Sequence, residues 1–160
     1  MTFPQDLAAA IRADDAWRAL QTHVETTVGA KLFTIMTVDM EAMLARRAYS
    51  SDPVNYPAAG TKPITPNRWF DHVHGRGKTF VANTLEEIDT VFPDAKLIGA
   101  LGCGSVINLP ISDNGHLVAT MNILHEAGHY TPERVTLTEE MLAGPAHDAY
   151  HKARSFGPLL

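Results

Sequence analysis

The residues His125-Glu126-Ala127-Gly128-His129 match the pattern HExxH, the spacing of a zinc protease site. That chemistry needs a helix, because only there do histidines four apart share a face and the glutamate reach a metal-bound water. Here a β-rich run precedes the motif, Gly128 lies inside it, and a helix is predicted only from Thr131-Pro132 onwards. We therefore predict a polar loop between a strand and a helix rather than a metalloprotease site.

Two further histidine pairs could bind a metal. His147 and His151 are four apart in a predicted helix, but no acidic or histidine partner is evident in the sequence, so exposed helix histidines are favoured. His72 and His74 diverge in the short helix predicted for them, which leaves one of them able to line a pocket. We expect no bound metal and no cofactor.

Cys103 is the single cysteine and lies between Gly102 and Gly104, just before a predicted strand. A small buried apolar residue is the favoured interpretation. In the alternative, the glycines admit a substrate to the sulfur, and His72 or His125 lowers the pKa of the thiol to make it a nucleophile.

Polar and aromatic side chains mark a possible binding pocket. Asn108 and Asn122 interrupt apolar strands, and a buried amide must be hydrogen-bonded, so each either holds backbone or faces a ligand. Tyr49, Tyr56 and Trp69 flank or lie in a proline-rich loop and could form an aromatic lid or a small core beneath it.

Composition limits the class of protein. The 160 residues, 45% hydrophobic and 19% charged, fit one folded domain over residues 1–160. A net charge of -5, with Arg46-Arg47 as the densest basic group, argues against nucleic-acid binding. There is no signal peptide and no apolar run of about 18 residues, and a lone cysteine suits a reducing compartment. We expect a cytoplasmic protein without membrane contact.

The elements that must position these residues follow from periodicity, caps and turns. Helices are predicted over 5–29, from Thr65-Pro66 to Gly75, and over 95–101. Another begins at Thr84, where Glu87 completes a capping box. The last begins at Thr131 and is broken at Gly144-Pro145. Strands are predicted over 32–38, 43–50, 79–82, 105–111 and 116–124, the last two joined by an Asn114-Gly115 turn. Hairpins with helices at both ends indicate an α+β antiparallel sheet.

Part of this pattern resembles the GAF domain family. The runs that carry it are Gly77–Asn83, Gly104–Ile111, Asn114-Gly115, Leu117–Leu124 and Tyr130–Glu133. The resemblance covers nearly the whole chain in element order and is specific over about a third of it. It implies a GAF/PAS-like sheet of about six antiparallel strands with helices on both sides, a small-molecule pocket between the sheet and the middle helices, and frequent dimerisation.

The chain lacks the patterns of several GAF subfamilies. Cys103 is followed by Gly104, not by the histidine of bilin-binding members, and the Asn-Lys…Phe…Asp-Glu pattern of cyclic-nucleotide members is absent. Free methionine-R-sulfoxide reductases use up to three cysteines, one of which should fall near Gly99. With Cys103 alone, a sulfenic acid would have no intramolecular partner.

The leading hypothesis is a stand-alone GAF domain that binds a small metabolite in a sensory or regulatory role. It would dimerise through its terminal helices and, lacking an attached output domain, could signal through a separate output protein. The predicted ligand-binding residues are Tyr49, Trp69, His72, Cys103, Ser105, Asn108, Asn122 and His125. Alternatives are an enzyme on this fold using Cys103, His72 or His125, and an interaction module whose pocket is filled by side chains.

Overall fold

A computed structural model describes residues 2–160. Its six strands are β1 (Leu32–Asp39), β2 (Leu44–Ser50), β3 (Lys62–Pro63), β4 (Phe80–Ala82), β5 (Ser105–Asp113) and β6 (His116–His125). They form one sheet in the order β3-β2-β1-β6-β5-β4, and every neighbouring pair is antiparallel. The predicted α+β antiparallel sheet is confirmed, and β3 adds a two-residue edge strand inside the segment predicted as loop.

Helices cover both faces of this sheet. The terminal helices are α1 (Phe3–Ala8), α2 (Ala13–Thr27), α6 (Pro132–Met141) and α7 (Ala143–Arg154). The middle helices are α3 (Arg68–Phe70), which continues as a π-helical turn over Asp71–Gly75, α4 (Leu85–Asp89) and α5 (Ala95–Ala100). No helix among residues 2–160 is long and apolar enough to cross a membrane.

The N-terminal helix predicted as continuous is in fact two helices. The Asp15 carboxylate accepts hydrogen bonds from the backbone N–H groups of Ile11 (3.2 Å) and Arg12 (3.1 Å). The backbone N–H groups at the start of a helix have no partner inside it, and here the Asp15 side chain supplies one. These bonds cap a new helix, and α2 starts at Ala13. The prediction was wrong here because the apolar spacing continues across the break.

Local signals set most other boundaries. Asn114 and Gly115 have φ angles of 51° and 79°, as a type I′ hairpin turn requires, and they join β5 to β6. The Thr84 hydroxyl accepts from the Glu87 N–H at 3.1 Å, which confirms the predicted N-cap. The Glu87 carboxylate accepts from the Asn83 N–H at 3.2 Å rather than from the Thr84 N–H, so the predicted reciprocal capping box is not formed. The cap of α3 is Asn67, whose side chain accepts from the Phe70 N–H at 2.9 Å, and not Thr65 as predicted.

The break between the last two helices was also misplaced. It falls at Leu142, and Gly144-Pro145 lies in the first turn of α7. Proline is tolerated there because the N–H groups of a first turn have no partner inside the helix.

Two separate cores lie on the two faces of the sheet. On the terminal-helix face, Trp17, Leu20 and Val24 of α2 pack with α7 against Phe33 and other inward residues of the central strands. On the opposite face, α4 and α5 pack on Leu32, Val106 and Leu124, while Trp69 and Val73 form an adjoining cluster. This second face is less completely filled, and the buried polar residues Thr34, Asn108 and Asn122 lie there.

Candidate functional site

A cavity of about 120 Å³ lies between the sheet and the middle helices. Strands β1, β5 and β6 form its floor, and α3, the Phe92–Asp94 turn and the loop carrying Tyr56 form its walls. Its polar lining consists of Thr34, Arg47, Lys62, Asp94, Asn108 and Asn122. Pockets for drug-sized ligands measure roughly 300–1,000 Å³, so this cavity suits a molecule of few atoms.

A chain of four buried side chains crosses the cavity floor. Trp69 Nε1 donates to Asn108 Oδ1 at 2.9 Å, and Asn108 Nδ2 donates to Asn122 Oδ1 at 2.8 Å. Asn122 Nδ2 then donates to Thr34 Oγ1 at 3.2 Å. Asn122 lies directly opposite Asn108 on one side and Thr34 on the other, so strand register produces the chain. Each amide keeps a second N–H and a second lone pair for another partner.

Charged groups line the outer part of the cavity. The Tyr56 hydroxyl donates to the Asp94 carboxylate, and the Arg47 guanidinium lies 3.7 Å from the centre of the Tyr56 ring. Burial and the neighbouring Asp94 carboxylate raise the pKa of Tyr56, so the phenol keeps its proton as a donor. Lys62 enters from β3. This region therefore carries two cationic side chains, Arg47 and Lys62, and one carboxylate, Asp94, which already accepts a hydrogen bond, so its net charge is positive.

Of the residues predicted for the site, Trp69, Asn108 and Asn122 lie together in this cavity. Tyr49 lies on the terminal-helix face, where its hydroxyl donates to Gln21 Oε1 at 2.6 Å and its ring meets Phe33 edge-on. Of the predicted aromatic lid, only Tyr56 and Trp69 therefore border the cavity.

Ser105 and His125 lie opposite each other at the ends of β5 and β6. Side chains alternate along a strand, so their odd positions place them on the face opposite to Asn108 and Asn122. The Ser105 hydroxyl is buried and donates to the Glu126 carbonyl at 2.7 Å. Neither residue lines the cavity.

The enzyme alternative is not favoured by the surroundings of its three candidate residues. Cys103 is 5% exposed within an apolar cluster, and burial raises the pKa of its thiol, which opposes formation of the nucleophilic thiolate. His72 Nε2 is 2.8 Å from the Thr79 carbonyl oxygen, in a depression beside Arg68 and Arg76. Among residues 2–160 the Cys103 thiol has the Leu101 carbonyl as its hydrogen-bond partner, at 4.0 Å, and neither His72 nor His125.

His125 ends β6, and Glu126–His129 lie in the predicted loop between β6 and α6. The rings of His125 and His129 stack with centroids 3.6 Å apart, and His129 Nε2 is 2.8 Å from the Val28 carbonyl oxygen. Tyr130 exchanges two hydrogen bonds with the Asn83 side chain, at 2.9 and 3.1 Å, and its hydroxyl donates to the Gly29 carbonyl at 3.0 Å. These bonds attach the loop to the end of α2 and to the start of α4.

His74 is a buried group that the sequence did not single out as buried. It lies between the rings of Trp69 and Phe70, with centroids 5.0 and 5.1 Å away, and neither ring nitrogen has a partner among residues 2–160. Burial lowers the pKa of His74, so the ring is neutral beside the cavity wall.

Arg47, Lys62, Asp94 and Thr34 also belong to the cavity and were missed. In the sequence Arg47 stood out only as part of the densest basic group, whereas in the structure the loop after β2 folds back over it, and Arg47 Nη1 donates to the Pro57 carbonyl at 3.0 Å. The sequence signal that could have found it is its position on the strand that precedes the proline-rich loop.

A larger groove of about 860 Å³ lies on the terminal-helix face, between α1, α2 and α7. Phe3, Leu7 and Met141 give it a mostly apolar lining, and it is open to solvent. It lacks a buried polar network like that of the smaller cavity. We therefore assign the candidate ligand site to the smaller cavity, whose polar groups converge on one enclosed point.

Most of the amino-acid sequence matches one protein family. The family model of the GAF domain matches residues 13–146. The chain belongs to the GAF domain family. The sheet order and the two helical layers described above are thus those of a GAF domain, and members of this family typically bind ligands in sensory or regulatory roles. No curated protein sequence matches the chain.

Solved GAF structures share this fold. The GAF domain of a two-component sensor histidine kinase from Bacillus halodurans has a TM-score of 0.69 at 12% identity, covering 89% of this chain and 96% of that one. The GAF domain of a phosphoenolpyruvate-protein phosphotransferase from Coxiella burnetii has a TM-score of 0.68 at 15% identity, covering 96% and 90%.

A GAF-fold enzyme is also similar. Free methionine-R-sulfoxide reductase from Neisseria meningitidis, solved in complex with its substrate, has a TM-score of 0.61 at 17% identity, covering 96% of this chain and 89% of that one. At these identities the similarity establishes the fold alone.

Proposed function

We propose that this GAF domain binds a small anionic metabolite in the cavity floored by Asn108 and Asn122, in a sensory or regulatory role. The observation that carries the proposal is the combination of the Trp69–Thr34 hydrogen-bond chain with Arg47 and Lys62 at the same cavity. Unused amide N–H groups and two cations suit a carboxylate or a similar acceptor-rich group. The volume of about 120 Å³ limits the rest of the molecule to a few atoms.

Thermal denaturation with a panel of small mono- and dicarboxylates, and with amides and alcohols of the same size, tests this proposal. A bound carboxylate at about 100 times its Kd should raise the Tm by about 5 °C or more, and the uncharged counterparts should not. Arg47→Gln should remove the shift. Arg46→Gln is the matched control, because Arg46 lies on the same strand but bonds to the Ala59 and Leu159 carbonyls instead.

Two outcomes would contradict the proposal. If no carboxylate raises the Tm, the domain is better described as an interaction module whose pocket is filled by its own side chains. If a carboxylate raises the Tm equally in wild type and Arg47→Gln, binding occurs elsewhere.

The proposal extends to a homodimer formed through the terminal helices and to a separate output protein that responds to occupancy of the cavity. Support for the dimer is the apolar groove between α1, α2 and α7, next to which Met141 is 55% exposed. Light scattering coupled to gel filtration should give twice the chain mass of 17.5 kDa, and Met141→Glu should restore the monomer mass. A monomer at all concentrations would contradict the dimer. A cytoplasmic location, supported by the lone free cysteine, belongs to the same proposal.

A further inference from the structure

Asp113, His147 and His151 form a cluster outside the candidate ligand site. Asp113 ends β5 beside the Asn114-Gly115 turn, and the two histidines lie one turn apart on α7. Residues four apart on a helix lie on the same side, so their rings point together. Because α7 packs against β5, that side of the helix faces the end of the hairpin, and the carboxylate completes the group.

The three ligand atoms are spaced as a metal ion requires. His151 Nε2 lies 3.2 Å from both His147 Nε2 and Asp113 Oδ1, and His147 Nε2 lies 3.8 Å from the same oxygen. Tetrahedral zinc with bonds of about 2.0–2.1 Å holds its ligand atoms roughly 3.3 Å apart. The side chains are 44% (His147), 48% (His151) and 23% (Asp113) exposed, so an ion can enter and keep water in its open positions.

The HExxH loop brings a second group together, but its ring nitrogens are already engaged. The Glu126 N–H donates to His125 Nδ1 at 2.9 Å, so the neutral His125 ring carries its proton on Nε2. His129 Nε2 donates to the Val28 carbonyl, which leaves only Nδ1 of that ring as a ligand atom. In the cluster of Asp113, His147 and His151, by contrast, the Nε2 atom of each histidine contacts only the other histidine ring and the Asp113 carboxylate among residues 2–160.

We propose that Asp113, His147 and His151 bind one divalent transition-metal ion, with Zn²⁺ fitting this ligand set of two imidazoles and one carboxylate. The bound ion links the β5–β6 hairpin to α7. This site is separate from the candidate ligand site, and the proposal does not rest on the proposed function.

Calorimetric titration of the tag-free, chelator-treated protein with ZnCl₂ tests the site. We expect one Zn²⁺ per chain and a higher Tm when it is bound. His151→Ala and Asp113→Asn should each weaken binding by at least about tenfold, since even the loss of an outer-shell partner costs 10–100-fold at such sites. The controls are His116→Ala and Glu126→Gln, in which Zn²⁺ binding should be unchanged. His116 is exposed on the same hairpin, and Glu126 is exposed in the HExxH loop.

Several results would overturn the proposal. One is the absence of Zn²⁺ binding in the wild type, and another is equal affinity in wild type and His151→Ala. Loss of binding in Glu126→Gln with retention in His151→Ala would place the ion in the HExxH loop instead. Tm values of the wild type and the variants in EDTA show whether a variant is misfolded. We expect a similar value for His151→Ala, because the exposed His151 side chain contributes little to packing. Absorption bands of bound Co²⁺ in the visible range report the ligand set independently.

Discussion

At the scale of single residues, the amides on the cavity floor satisfy one another and still leave hydrogen-bonding capacity free. Asn122 uses one N–H on Thr34 and one lone pair on Asn108, and both residues are nearly fully buried. A buried amide without partners would be costly, so the chain across three strands explains how polar groups persist beneath the middle helices.

We predict that Asn122→Ala lowers the free energy of unfolding by about 2–3 kcal/mol, because the Asn108 Nδ2–H donor loses its acceptor and the Thr34 hydroxyl oxygen loses its donor. Thr34→Val keeps the shape and breaks only the last bond of the chain, so it should cost about 1 kcal/mol. Urea denaturation measures both values. Equal, near-zero effects of the two variants would show that the chain is not formed.

The second residue-scale prediction concerns His74. Burial lowers its pKa from the usual 6.5 in the folded state, so the unfolded chain takes up the proton more readily. The free energy of unfolding should therefore be unaffected by this group above about pH 6.5 and should fall as the pH drops toward the folded-state pKa.

His74→Leu removes this titration and two unpartnered nitrogens, so it should flatten the loss of stability between pH 7.5 and 5.5. Denaturation in urea at both pH values measures the slope, and exposed His116→Gln should leave it as in the wild type. Since burial also lowers the pKa of His125, some acid sensitivity should remain in the variant. An unchanged slope in His74→Leu would contradict a neutral buried His74.

At the scale of elements, the loop between β6 and α6 is held by close packing as well as by its hydrogen bonds. Gly104 precedes β5, and a Cβ added there would lie 2.9 Å from Ala127 Cβ and 3.1 Å from Ala127 N. The nearest atoms all belong to Ala127, and its backbone and short side chain have little freedom to move away. The glycine therefore lets the HExxH loop lie against the start of β5.

We predict that two glycine-to-alanine substitutions differ in their effect on stability. Gly104→Ala should lower the Tm, because the overpacked loop must shift at a cost of about 1–3 kcal/mol. Gly144 lies in the first turn of α7, where nothing is within 4 Å of an added Cβ, so Gly144→Ala should be neutral or stabilise by up to about 1 kcal/mol. Calorimetric Tm values of both variants decide this, and a tolerated Gly104→Ala would contradict the close approach.

Local signals made the elements predictable, whereas the cavity depended on contacts between distant segments. The Asn114-Gly115 turn and the Thr84 cap act within a few residues, and both were predicted from the sequence. Strand alternation also separates Ser105 from Asn108, because residues an odd number of positions apart on a strand lie on opposite faces. Arg47 and Asp94 could not be placed in this way, because both contact Tyr56, and 38 positions of the chain separate Tyr56 from Asp94.

At the scale of the whole molecule, the sheet separates two regions with different properties. The terminal helices bury a large apolar core and leave an open groove, while the middle helices cover a smaller cavity whose floor carries the hydrogen-bond chain from Trp69 to Thr34. The β5–β6 hairpin belongs to both, because β5 pairs with β4 beside the middle helices and packs against α7 on the other face. Strand β5 therefore contacts both regions.

The most direct test of the central claim is a crystal structure of the protein with the carboxylate that raises its Tm most. We predict electron density for that molecule in the cavity, with its carboxylate within hydrogen-bonding distance of Arg47 or Lys62 and its remaining atoms against Trp69 and Asn122. Density for the carboxylate in the groove between α1 and α7, with the cavity empty or closed by side chains, would contradict the account.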